Sequence, residues 1–106
     1  MTTKKTQLCP IQITLKTIGG KWKPVILFQL QGKILRFNEL SRQIFGINQK
    51  MLTTQLREME IDGIIKRKVY AEVPPRVEYS ITKYGESLKP ILMSMCDWGL
   101  KHKNRK

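Results

Sequence analysis

Three side chains in this 106-residue chain are thiols or an imidazole: Cys9, Cys96 and His102. One imidazole, in a basic C-terminal stretch, predicts neither metal nor cofactor, and a thiol enzyme would need a CxxC pair or a Cys–His arrangement. Cys9 and Cys96 are far apart in sequence, so no catalytic site is expected. Cys9 directly precedes Pro10, a residue suited to the first position of a helix, which places the thiol at the N-cap. Peptide dipoles there favour an anion, Lys4, Lys5, Lys21 or Lys23 are candidates to lie near in the fold, and such surroundings make a thiol reactive. Two readings stay open for Cys9, a sensor and an incidental thiol. A reacting Cys9 would give a sulfenic acid, an adduct with a small electrophile acting as effector, or an intersubunit disulfide. Cys96, among Leu92, Met95 and Leu100, reads as an inert core residue.

The second chemistry is polyanion recognition. With Leu52 at zero on a helical wheel, Leu56 and Met59 fall within about 40° of it, while Thr53, Arg57, Lys50 and Thr54 fall at about 100° to 200°. Asn48 and Gln49 stand at the helix start, and Glu58 and Glu60 lie outside the polar arc. Arg suits guanine edges, amides suit adenine and Thr suits a methyl or a phosphate, so this set fits a major groove. Downstream, Lys66, Lys68 and Arg76 cluster near a loop and suit phosphates or an adjacent minor groove. Strand alternation puts Lys66 and Lys68 on one face, which Arg67 need not share.

Charge points the same way. The chain holds 20 Lys and Arg against 8 Asp and Glu, net +12. Setting aside Lys4, Lys5, Lys101, Lys103, Arg105 and Lys106 at the ends leaves 14 against 8, so the domain itself is basic. Nucleic acid is favoured over a membrane surface, since no strongly basic amphipathic face stands alone and no apolar run approaches the roughly 18 residues of a span. The competing class is a basic RNA- or ribosome-associated domain, which wants aromatics on an open sheet. Tyr70 and Tyr79 instead fall on a hairpin, and Trp22, Phe28 and Trp98 fall in core-like patterns. The N-terminus lacks the apolar stretch of a signal peptide, and two cysteines make no disulfide framework, so a reducing cytoplasm is expected.

The elements that must position these residues follow from periodicity and punctuation. Helices are predicted over Pro10–Ile18, from about Trp22 to Gln31, over Glu39–Phe45 capped by Asn38, and from the Asn48 cap to about Ile61. The second, apolar almost all round, should be central to the core. Ile34–Phe37 reads as a short strand, and Ile64–Tyr70 with Arg76–Ile81 as a hairpin across Ala71–Pro75. Thr82 should cap a last helical segment to about His102, broken or kinked at Pro90. This order is an α+β, mostly α winged helix-turn-helix with a two-stranded wing and extra terminal helices. Residues 1–7 are a loose terminus, 8–102 the domain and 103–106 a basic tail. The last helix is apolar on more than one face, which predicts a homodimer. Leu8, Ile11, Leu92, Met95, Cys96 and Trp98 are the expected interface. A twofold dimer would set two reading helices about one DNA turn apart, on a pseudo-palindromic operator in double-stranded DNA.

Several segments carry a family resemblance: Cys9-Pro10, Ile18–Lys23, Arg36–Leu40, Gln49–Thr53, Leu56–Met59, Asp62–Ile65, Pro74–Thr82 and Trp98-Gly99. In order and spacing, from residue 9 to about 100, the chain resembles the HxlR family of MarR-like winged helix-turn-helix transcriptional regulators. The resemblance implies a homodimer joined through the first and last helices, operator binding through residues 48–61, and wing contacts from 66–76. It also implies a thiol sensor at Cys9, because several family members respond to quinones, aldehydes or disulfide stress through a cysteine at this place. Phe45-Gly46-Ile47-Asn48 departs from a common Pro-Gly-Ile-Ser pattern, and no second cysteine stands in the usual C-terminal tail position.

Overall fold

Three prolines open three helices. In the structure, a computed structural model that describes residues 9–105, Pro10, Pro24 and Pro90 lie in the first turns of α1 (Pro10–Ile18), α2 (Lys23–Leu30) and α5 (Lys89–Asn104). A missing N–H costs nothing there, because first-turn N–H groups have no intrahelical acceptor. Pro90 therefore starts the last helix and does not break it, after a single 3-10 turn over Gly85–Leu88. The helix also continues past residue 102 to Asn104, into the expected tail. The loose terminus and the Leu8 contact expected at the N-terminus lie outside the described residues.

Between α2 and α5 come β1 (Leu35–Arg36), α3 (Phe37–Gln43), α4 (Gln49–Ile61), β2 (Ile65–Tyr70) and β3 (Arg76–Ile81). Helix α3 begins two residues before the sequence expectation. The Arg36 N–H donates to Glu39 Oε1 at 2.8 Å, so Arg36 takes the cap position and Asn38 is drawn into the first turn. A glutamate three residues in thus satisfies a cap that has no Ser, Thr, Asp or Asn of its own. Gly46, at φ +89°, makes the turn into α4, where Asn48 Oδ1 accepts the Met51 N–H at 2.8 Å. Asn48→Ala should therefore cost about 1 kcal/mol. A denaturation midpoint unchanged from the parent would show that the cap contributes nothing.

The expected two-stranded wing is part of a three-stranded antiparallel sheet of order β1-β3-β2. Leu35 pairs with Tyr79, Ile65 with Ile81, Arg67 with Tyr79 and Tyr70 with Arg76. At the end of β3, the Thr82 hydroxyl donates to the Gly63 carbonyl at 2.6 Å and accepts the Gly85 N–H at 2.9 Å. One side chain so fastens the exit of α4 to the approach of α5. Gly85 allows the closeness, since a Cβ there would overlap the Ile64 carbonyl oxygen and stand 2.8 Å from Ile81 Cγ2.

The core collects Ile26, Leu27 and Leu30 of α2, Leu40 and Ile44, Leu52, Leu56 and Met59 of α4, Ile64 and Ile65, and Leu92 of α5. The α4 triad faces inward as its periodicity requires. Helix α2 is central but not buried all round: Val25 and Phe28 are exposed, because α3, α4, α5 and β3 together cover only part of its circumference. Leu92, expected at a subunit interface, is 3% exposed and spent within this chain's own core. Cys96, expected in the core, is only half-buried.

Candidate nucleic-acid interface

Helix α4 presents Gln49, Lys50, Thr53, Thr54 and Arg57 to solvent, opposite the buried Leu52, Leu56 and Met59. Its two glutamates are engaged elsewhere. Glu58 Oε1 lies 2.7 Å from Nζ of Lys23, a residue 8% exposed at the start of α2, and Glu60 Oε1 lies 3.5 Å from Arg67 Nε. Among the described residues, Lys50 and Arg57 have no carboxylate within ion-pair distance. The Thr53 and Thr54 hydroxyls donate back to the carbonyls of Gln49 and Lys50, at 2.8 and 3.0 Å. Their protons are thus committed to the helix, leaving oxygen lone pairs and methyl groups for a partner.

Arg57 shares a cleft of about 180 Å³ with Thr53, Leu56, Glu60, Arg67 and Tyr79, where α4 meets the sheet. Burial pushes the Tyr79 phenol above its ordinary range, Arg67 pulls it down, Glu60 raises it and Arg57 lowers it. The hydroxyl therefore stays protonated at neutral pH and able to donate. Arg67 is a residue that sequence reasoning set aside. Its signal was available: alternation from the buried Ile65 puts Arg67 on the sheet face that packs against α4.

The expected wing residues are differently placed. Lys66 and Lys68 are exposed on the opposite sheet face, across from Ser80 and Glu78. Arg76 is already occupied, with Nη2 3.1 Å from Glu72 Oε2, Nε 3.7 Å from Glu78 Oε2, and its guanidinium carbon 3.9 Å from the Tyr70 ring centre. Lys68 Nζ stands 5.0 Å from the same ring. With Tyr70 covered in this way and Tyr79 packed against the core, the hairpin offers no open aromatic platform.

Cys9 is exposed at the N-cap of α1, where its backbone N–H donates to Gln12 Oε1 at 2.8 Å. Cys96 lines an apolar groove of about 230 Å³ with Pro24, Val25, Phe28, Leu92 and Met95. The remaining expected interface residues are on the surface: Ile11 is 68% exposed, Trp98 67% and Met95 48%. Trp98 stacks on His102 with ring centres 4.9 Å apart, so neither Trp98 nor Phe28 belongs to the core. Among the described residues no three His, Cys, Asp or Glu side chains form a metal-binding group. No helix among them is long and apolar enough to cross a membrane.

Residues 17–106 match the model of the HxlR-like helix-turn-helix family. The chain is 52% identical over 97 residues to the HTH-type transcriptional regulator YdeP of Bacillus subtilis (strain 168), covering 92% of this chain and 76% of YdeP. The crystal structure of the HTH-type transcriptional regulator ytcD superposes with a TM-score of 0.88 at 51% identity, covering 92% of this chain and all of that one. The redox regulator HypR superposes in its reduced form with a TM-score of 0.87 at 47% identity, covering 91% of this chain and 95% of HypR. Its oxidised form gives 0.84 at 48%, covering 92% and 99%. The winged helix-turn-helix described above, matched over most of its length, makes this chain a member of the HxlR-like helix-turn-helix family of transcriptional regulators.

Proposed function

We propose that the chain acts in the cytoplasm as a homodimer that binds a pseudo-palindromic operator in double-stranded DNA, and that Cys9 reports electrophiles to it. The observation that carries DNA binding is the α4 arc, in which Lys50 and Arg57 make no ion pair among the described residues while Glu58 and Glu60 are held in ion pairs. Asn48, Gln49 and Thr53 complete the surface that would enter the major groove, as the second helix of a helix-turn-helix does. Arg67 is added to the phosphate-contacting set beside Lys66 and Lys68, and Arg76 contributes mainly by ordering the loop through Glu72. Exposed Ile11, Ile13 and Leu15 on α1 with Ile91, Met95, Trp98 and Leu100 on α5 favour burial against a second copy.

A mobility-shift titration of the reduced protein on DNA upstream of its own gene, with random duplex as competitor, tests the reading. A discrete complex that survives about a hundredfold excess of competitor supports operator binding. Smearing that tracks total DNA and fades with modest salt would overturn it, leaving only the effect of net charge.

For Cys9, the exposed N-cap position and the likeness to HypR, described as a redox regulator in oxidised and reduced forms, support sensing. The thiolate would add to the carbon–carbon double bond of a quinone or unsaturated aldehyde, with the proton passing to the adduct. Cys9→Ser should bind DNA as the reduced parent does and lose any response to electrophiles. A variant that still responds would move sensing to Cys96 or to a non-covalent ligand.

A further inference from the structure

A third cavity, of about 560 Å³, lies between the end of α2, the sheet and the start of α5. Lys66 and Ser80, cross-strand partners, form one wall, with Lys33 from the loop after α2 and Lys89 from the start of α5 at its edges. None of these three lysines has a carboxylate within ion-pair distance among the described residues, although Glu86 also lines the cavity. Three ammonium groups and one carboxylate leave a local charge of +2. Gln31 lines the same space, and its buried Nε2 has no hydrogen-bond acceptor in the protein. An unpaired buried donor is uncommon in a folded chain and calls for a partner. Ile34 and Ile81 supply apolar surface beside these polar groups.

We infer that this cavity binds a small phosphomonoester, with its phosphate among Lys33, Lys66, Lys89 and the Gln31 amide and its organic part against Ile34 and Ile81. The charge matches, since such a phosphate carries close to two negative charges at neutral pH. The size matches too, because small-molecule sites occupy roughly 300–1,000 Å³ and a bare phosphate would leave most of this space empty. Lys66, a proposed wing contact to DNA, is shared with this site, whereas Lys33, Lys89 and Gln31 lie outside the proposed DNA-contacting set. The site neither uses Cys9 nor requires the DNA-binding reading to hold.

Phenyl phosphate titrated into the full chain and followed by two-dimensional amide NMR tests the assignment. The Gln31 side-chain amide and the backbone amides of Lys33, Lys66 and Lys89 should shift saturably, ahead of those of α4. A Lys33→Gln/Lys66→Gln double variant should weaken binding at least tenfold, and Gln31→Leu should weaken it several-fold. A Lys16→Gln/Lys101→Gln double variant loses the same charge from α1 and α5 and should bind as the parent does. Equal weakening in the two double variants would overturn the site, because binding would then follow net charge alone. Inorganic phosphate bound as tightly as phenyl phosphate would overturn the organic ligand.

Discussion

Leu52→Ala is expected to lower the unfolding free energy by about 2–5 kcal/mol, the cost of emptying a fully buried leucine site that can collapse only in part. Leu52 is 0% exposed and lies between Leu56 and Met59 on the inward stripe of α4. Its neighbours come from separate elements fastened by their own hydrogen bonds, so little backbone is free to close the void. For a domain of this size the melting temperature should fall by about 10 °C or more. A urea titration with an unchanged slope would confirm that stability changed and compactness did not. Operator affinity of the folded fraction should stay close to the parent's. A loss below about 1 kcal/mol would contradict the packing described for α4.

Arg57→Ala should do the reverse. Its guanidinium is exposed, makes no ion pair among the described residues and stands at the mouth of the cleft shared with Arg67 and Tyr79. Stability should change by less than about 0.5 kcal/mol, as surface substitutions usually do. Operator affinity should fall by about 1–3 kcal/mol, with specificity relaxed at one base step, if the guanidinium reads a guanine edge. Lys68→Ala is the contrast: it should weaken all sequences alike and reduce the salt slope by about one. Competition binding on operators substituted one base pair at a time separates the two. An Arg57 variant with unchanged discrimination would place the reading surface elsewhere.

Much of this was legible in the residues. The α4 stripe was readable because Leu52, Leu56 and Met59 repeat at helical spacing and Asn48 is a strong cap, so local signal and tertiary packing agree. The start of α3 was misplaced because Asn38 and Arg36 compete for one cap. The winner was decided by the reach of Glu39 back to the Arg36 N–H, a pairing that residue type at the cap does not advertise. Leu92 and Cys96 were misassigned for a related reason. Periodicity shows that α5 has apolar residues on several sides, but which side meets α2 depends on the 3-10 turn that aims it. The role of Arg67 needed the sheet register, and the largest of the three cavities draws its lining lysines from positions 33, 66 and 89, distant in sequence.

The sheet order has a consequence for life in a crowded cell. With β3 in the middle, the sheet ends in two open edges, and each is a template on which another chain could lay a strand. One edge, β1, is only two residues long. The other, β2, is six residues long and carries Lys66, Arg67 and Lys68 in succession. The β2 strand of a second copy would have to bring the same row of cations alongside these before a single backbone bond formed. The wing therefore discourages aggregation by its own sequence, and neutralising those three positions together should trade solubility for edge-to-edge assembly.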